Sequence, residues 1–355
     1  MKFNHAQFVF AREYRGIGQT DLSKTVKGLS QSNLSKFEKG FDVLSENVIY
    51  ELINFLDFPV EFFTKIINND IEIAHYRKKS GITKAVKVQI ESNNKIIGYL
   101  VDQLNDSVDY PDFSLRPLDP EEYTPEEAAK FTRKLMGLDK REPVINVFTH
   151  LESNGVVVIE FDDVTDKFDG VSFLTDKGNP VIVINRNFSN DRKRFTLAHE
   201  LGHILMHCTG DFPNPAHRDE KQKENEANRF ASEFLMPAFG IQNSLIGLSL
   251  YDLAPLKKYW HTSKQSIIRR AKDLRAIPDN RATYFMIELS RMGERKVEKT
   301  LVDIDKSVIF RNAYELHKKE LNYSDEDLSK AFSLPYDILK KYFNFSDKSK
   351  LRVIV

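Results

Sequence analysis

His199 and His203 stand four residues apart, with Glu200 directly after the first, in the run Phe195-Thr196-Leu197-Ala198-His199-Glu200-Leu201-Gly202-His203. On a helix that spacing puts both imidazoles on one face, one turn apart, where they can grip a single ion. A carboxylate beside the first ligand suits another task. It takes a proton from a water that the ion's charge has acidified and passes it to a leaving amine. The pattern points to hydrolysis of a peptide bond, with His199 and His203 as metal ligands and Glu200 as general base. A catalytic zinc ion, Zn2+, also needs a third protein ligand and an open position. Carboxylates for it follow in Glu224-Asn225-Glu226-Ala227-Asn228-Arg229-Phe230-Ala231. Glu224 and Glu226 point in nearly opposite directions on a helix. The apolar positions Ala227, Phe230, Ala231 and Phe234 leave both near the edge of the buried face, so periodicity leaves the choice open. His207, one more turn along, is either another ligand or a cation near a helix C-terminus. His217, Arg229 and several tyrosines are available to stabilise an oxyanion. Cys208 is the only cysteine, which removes Cys-rich zinc schemes and internal disulfides and leaves it a packing role.

These residues must be held by a scaffold. Phe195, Ala198, Leu201 and Leu205 form an apolar side of the first helix, and Thr196, His199, His203 and His207 line another. Gly202 costs that helix about 1 kcal/mol relative to Ala, which a close backbone approach to a strand or substrate would explain. The β-branched runs Val156–Phe161, Val171–Leu174 and Val181–Ile184, separated by Gly- and Asp-containing turns, predict a small sheet ahead of the His helix. A second helix is expected from about Asp219 to Met236, closed by Pro237, with mainly helical chain beyond. Upstream, Thr124-Pro125-Glu126-Glu127 reads as a helix start, with Thr124 as cap. Pro111, Pro117 and Pro120 mark Asp109–Tyr123 as a linker.

The N-terminal stretch is of a different kind. Apolar residues recur at helical spacing through Phe8, Phe10, Ala11, Leu22, Leu34, Phe37, Leu52, Ile53 and Leu56, which predicts a compact all-helical unit. Residues 1–40 hold seven Lys and Arg against three acids, a local excess that suits phosphate contact although the whole chain is formally neutral. A short helix beginning at Gln19, a turn at Gly28-Leu29 and a second helix capped by Ser30 and ended by Gly40 make a helix-turn-helix pattern. Gln31, Ser32, Asn33 and Lys36 would project towards base edges and phosphates, with Gln19 a further candidate contact, while Leu34 and Phe37 pack inward. Asp42, Glu46, Glu51, Asp57 and Glu61 follow, so DNA affinity is expected to need a homodimer. A faint echo of the rhythm recurs over 323–343.

FTLAHELGHILMH at 195–207 followed by ENEANRFASEFLMP at 224–237 resembles the ImmA/IrrE family of metallopeptidases, a thermolysin-like group whose second motif reads roughly EANxFAxxLLMP. The likeness extends over about 155–275 and includes HTSKQSIIRRAKDL at 261–274. It implies zinc held by His199, His203 and Glu226, with Glu200 as base. The stretch SQSNLSKFEKG with the later LSENVIYELINFLDFPVEFF resembles the XRE/Cro-like helix-turn-helix family over about 5–65, with a longer turn around Lys24–Leu29.

The expected fold is multidomain: an all-α helix-turn-helix domain over 1–70, a helical arm and linker over 71–121, an α+β zincin-like domain over 122–278 and a mainly helical region over 279–355. At 355 residues the chain is long enough for such a division. No run of about 18 apolar residues occurs and the first residues break into charge early, so a cytoplasmic protein without a membrane partner is expected. The resemblances together imply a regulator that binds double-stranded DNA and cuts a repressor-like protein, or its own linker, in a stress, phage or mobile-element response. The competing expectation is a non-proteolytic transcription regulator or antitoxin whose zincin-like domain senses a ligand, metal or partner.

Overall fold

The computed structural model describes residues 2–65, 67, 83–162, 168–208, 218–295 and 297–343. Its two compact units interleave along the chain: one gathers the described residues before 68, within 83–109 and within 308–343, the other those within 110–307. The clustering of contacts divides the described chain between residues 109 and 110 and again between 307 and 308. The run Tyr76-Arg77-Lys78-Lys79, a basic stretch within the expected arm, lies outside the described residues.

In the first unit, α1 (His5–Tyr14) is capped by the Asn4 side chain. It leads to α2 (Gln19–Thr25), α3 (Gln31–Glu38), α4 (Glu46–Leu56) and a 3-10 turn at Val60–Thr64. Ser30 caps α3 by accepting from Asn33 N, and Gly28, at φ +83, allows the turn before it. The apolar spacing becomes a core of Phe8, Leu22, Leu34, Phe37, Leu52, Ile53, Phe62 and Phe63. Within it, Arg12 Nε donates to Glu38 at 2.7 Å and Gln19 Nε2 donates to the same carboxylate at 2.7 Å, joining α1, α2 and α3. The long α5 (Lys84–Asn105) packs with α1 and with α14 (Ile309–Lys319), and α15 (Asp325–Phe332) and α16 (Tyr336–Phe343) complete the unit. Arg15 bonds Asp337 at 2.9 Å, and Tyr99 Oη donates to Phe332 O at 2.9 Å. These contacts bind the chain's late helices to its early ones.

The second unit is α+β. Its three strands, β1 (Val157–Phe161), β2 (Gly170–Leu174) and β3 (Pro180–Asn185), lie in the order β1-β3-β2. The central β3 runs parallel to β1, with Val158 opposite Ile182, and antiparallel to β2, with Ser172 opposite Ile182. Around the sheet come α6 (Pro125–Leu135), α7 (Val147–Ser153), α8 (Asn190–His203) and α9 (Glu220–Leu235). They are followed by α10 (Ala238–Ile241), α11 (Leu253–Trp260), α12 (Lys264–Asp273) and α13 (Asp279–Arg291). Thr124 with Glu127 caps α6 and Asp219 with Gln222 caps α9, each by a reciprocal capping box. Arg194, buried on α8, donates to the carbonyls of Ile145, His261 and Val144 and so ties the helix to two connecting segments. Burial pulls its guanidinium down to about 10, which still leaves it charged at neutral pH. Among the described residues, no helix is long and apolar enough to cross a membrane.

The close approach at Gly202 is to a neighbouring helix. A Cβ there would lie 3.1 Å from Cδ1 of Phe230 on α9, whose buried ring stacks on Phe234. Filling that gap sets an overpacking cost of about 1–3 kcal/mol against a helix-propensity gain of about 1 kcal/mol. Gly202→Ala is expected to lose about 1 kcal/mol net, lowering Tm by roughly 2–4 °C. Thermal unfolding checks this, and a higher Tm would show that Phe230 gives way.

Candidate metal centre

The final turn of α8 aims His199 and His203 inward, at 5% and 0% exposure. Their Nε2 atoms come within 3.1 Å of each other. From α9, Glu224 presents Oε1 at 3.3 Å from His203 Nε2 and Oε2 at 3.5 Å from His199 Nε2. A tetrahedral zinc ion with bonds of about 2.0–2.1 Å needs ligand atoms about 3.3 Å apart. The observed separations bracket that value. The donor set also fits, since two imidazoles with one carboxylate suit zinc, whereas magnesium and calcium favour oxygen ligands. Burial opposes ionisation of Glu224, but its hydrogen bonds and charge interactions with His199 and His203 prevail and hold its pKa well below the usual carboxylate range.

The structure thus puts Glu224 at the histidine pair, where the family resemblance implied Glu226. The two carboxylates diverge by about 200° around a helix, so the rotation of α9 against α8 decides which one faces the pair. Glu226 instead meets His207 Nε2 at 2.9 Å and accepts from Arg218 Nε at 2.9 Å. His207 sits on the π turn Ile204–Cys208 that continues α8. Desolvation lowers its pKa, against the opposing pull of Glu226.

Glu200 is nearly buried, and its Oε2 accepts a 2.7 Å hydrogen bond from Ser172 Oγ. The sequence reading missed Ser172. The available signal was a hydroxyl in the otherwise apolar strand Gly170–Leu174, where a polar group must find a buried partner. Gly170 assists from the same strand, because a Cβ there would come within 2.6 Å of Thr196 on α8. Of the candidate oxyanion groups, Arg229 is paired with Glu126 at 2.7 and 2.9 Å, and His217 lies outside the described residues.

The candidate DNA contacts lie in the other unit. Gln31, Ser32 and Lys36 are exposed on α3, Asn33 and Gln19 are partly exposed, and Leu34 and Phe37 are buried. Gln31 Nε2 donates to Gln19 Oε1 at 3.1 Å.

Residues 151–272 match the family model of the IrrE N-terminal-like domain, Peptidase_M78. This is well under half the chain, and it includes the sheet, α8 and α9. The match supports a peptidase of the IrrE/ImmA kind for that segment. No curated protein matches the chain.

Cys208 is fully enclosed, and burial, aided by the nearby Glu200 carboxylate, pushes its thiol far above the ordinary range. Since the thiolate is the reactive form, iodoacetamide at pH 8 should label the native chain far more slowly than the chain unfolded in guanidinium. Equal labelling rates would contradict this packing role.

Proposed function

We propose that the chain is a cytoplasmic, DNA-associated regulatory zinc metalloprotease that hydrolyses a peptide bond in a repressor-like protein or in its own Asp109–Tyr123 segment. The observation that carries this reading is the convergence of His199, His203 and Glu224, with Glu200 beside them. Zinc bound by those three side chains would supply Lewis acidity, acidifying water and polarising the scissile carbonyl. Glu200 takes the proton of the attacking water as the new C–O bond forms, and returns it to the amine as the C–N bond breaks. Ser172 holds Glu200 Oε2 and limits where the carboxylate can swing.

The exposed polar side of α3 supports double-stranded DNA as a partner. In this reading Gln31, Ser32 and Asn33 face base edges, Lys36 meets a phosphate, and Gln19 braces Gln31. The acids that follow favour binding as a homodimer.

Glu200→Gln separates this protease from a regulator that senses metal without cutting. Both proteins should bind one zinc per chain, while the variant's cleavage of candidate repressors from the same cell falls about 10²–10⁴-fold. A wild type that binds zinc and DNA but cuts nothing, with a variant that regulates equally well, would overturn the protease. For the DNA contact, Lys36→Ala should weaken binding to all duplexes and reduce the salt slope by about one. An unchanged slope in a salt titration would remove Lys36 from the interface.

A further inference from the structure

α8 does not end its chemistry at His203. Its continuation into the π turn Ile204–Cys208 sets His207 beside His203, with their Nδ1 atoms 3.0 Å apart. The other ring nitrogen of His207, Nε2, lies 2.9 Å from Glu226 Oε2. Arg218 Nε then donates to Glu226 Oε1 at 2.9 Å. The four groups form a line running from a guanidinium through a carboxylate and two imidazoles to the metal-facing nitrogen, His203 Nε2.

Each contact sets the direction of the next. An ionised carboxylate only accepts, so His207 carries its hydrogen on Nε2, and the neutral ring is left to accept at Nδ1. His203 must then donate from Nδ1. That leaves its Nε2 with a lone pair, directed to the point shared with His199 and Glu224. Both nitrogens of His207 are used in this line, which argues against its being a ligand itself. His199 has no matching support, since its buried Nδ1 lacks a hydrogen-bond partner among the described residues.

We propose that His207, oriented by Glu226 and Arg218, is a positioning residue that holds His203 in the tautomer and ring orientation needed to bind zinc. The inference rests on the zinc-site reading above. Partners of this kind, which bond the far nitrogen of a ligating histidine, commonly change metal affinity about 10–100-fold when removed.

The test is zinc affinity of the full chain, measured by competition with a chromogenic chelator, for wild type, His207→Leu, His207→Asn and Glu224→Gln. Leu fills the buried space but accepts nothing. Asn fills it less well, yet its Oδ1 lies near the position of the lost Nδ1 and can accept from His203. His207→Leu should bind zinc about 10–100-fold more weakly, and His207→Asn should stay within a few-fold of wild type. If His207 only packs, the order reverses and the proposal falls. An Asn variant weakened tenfold or more also overturns it, even if the Leu variant does not fold. Wild-type affinity in His207→Leu, with binding lost in Glu224→Gln, rejects the positioning role and leaves the three-ligand site intact. Wild-type affinity in Glu224→Gln removes the site reading and the proposal with it.

Discussion

Gly202 of α8 lies against the Phe230 ring of α9, and the proposed metal site depends on the spacing of those two helices. His199, Glu200 and His203 belong to one helix and Glu224 to the other. Ligand atoms 3.1–3.5 Å apart can share an ion. A Cβ at 202 would meet the Phe230 ring at 3.1 Å, so the ring or the two helices would have to give by about a few tenths of an ångström. The helix-propensity loss at Gly202 is thus offset by what the close contact permits.

α8 is pinned on a second side by β2. Gly170 lets the strand come against Thr196, and two residues on Ser172 reaches Glu200. The same helix is anchored near its start by Arg194 and by a buried ion network in which Lys257 joins Asp191 at 2.8 Å and Glu298 at 2.9 Å. Buried pairs of this sort are weak sources of net stability. Their geometric effect is larger here, since the helix that carries the candidate ligands is fixed at its start by directional contacts and near its end by apolar packing.

Much of the site was legible because it is local. The rise and rotation of a helix decide where residues i and i+4 point, so His199, Glu200 and His203 could be grouped without knowledge of the fold. The cap of α6, the extent of α9 and the three strands were readable for the same reason. What was not legible depends on tertiary placement. Choosing Glu224 over Glu226 requires the rotation of α9 about its axis, and pairing Ser172 with Glu200 requires the position of β2 along α8. Nothing in Ile204–Cys208 distinguishes a π turn from more α-helix. The grouping of the late helices with the early ones rests on pairs such as Arg15 with Asp337, for which adjacent sequence holds no signal.

The central claim is a zinc ion bound by two helices through His199, His203 and Glu224. Diffraction from zinc-loaded crystals, with anomalous data collected on either side of the zinc edge, tests it most directly. The account predicts one strong peak about 2.0–2.2 Å from both Nε2 atoms and from a Glu224 oxygen, with Glu226 turned to His207. A peak bonded to Glu226 or His207, or no peak between the two helices, would contradict it.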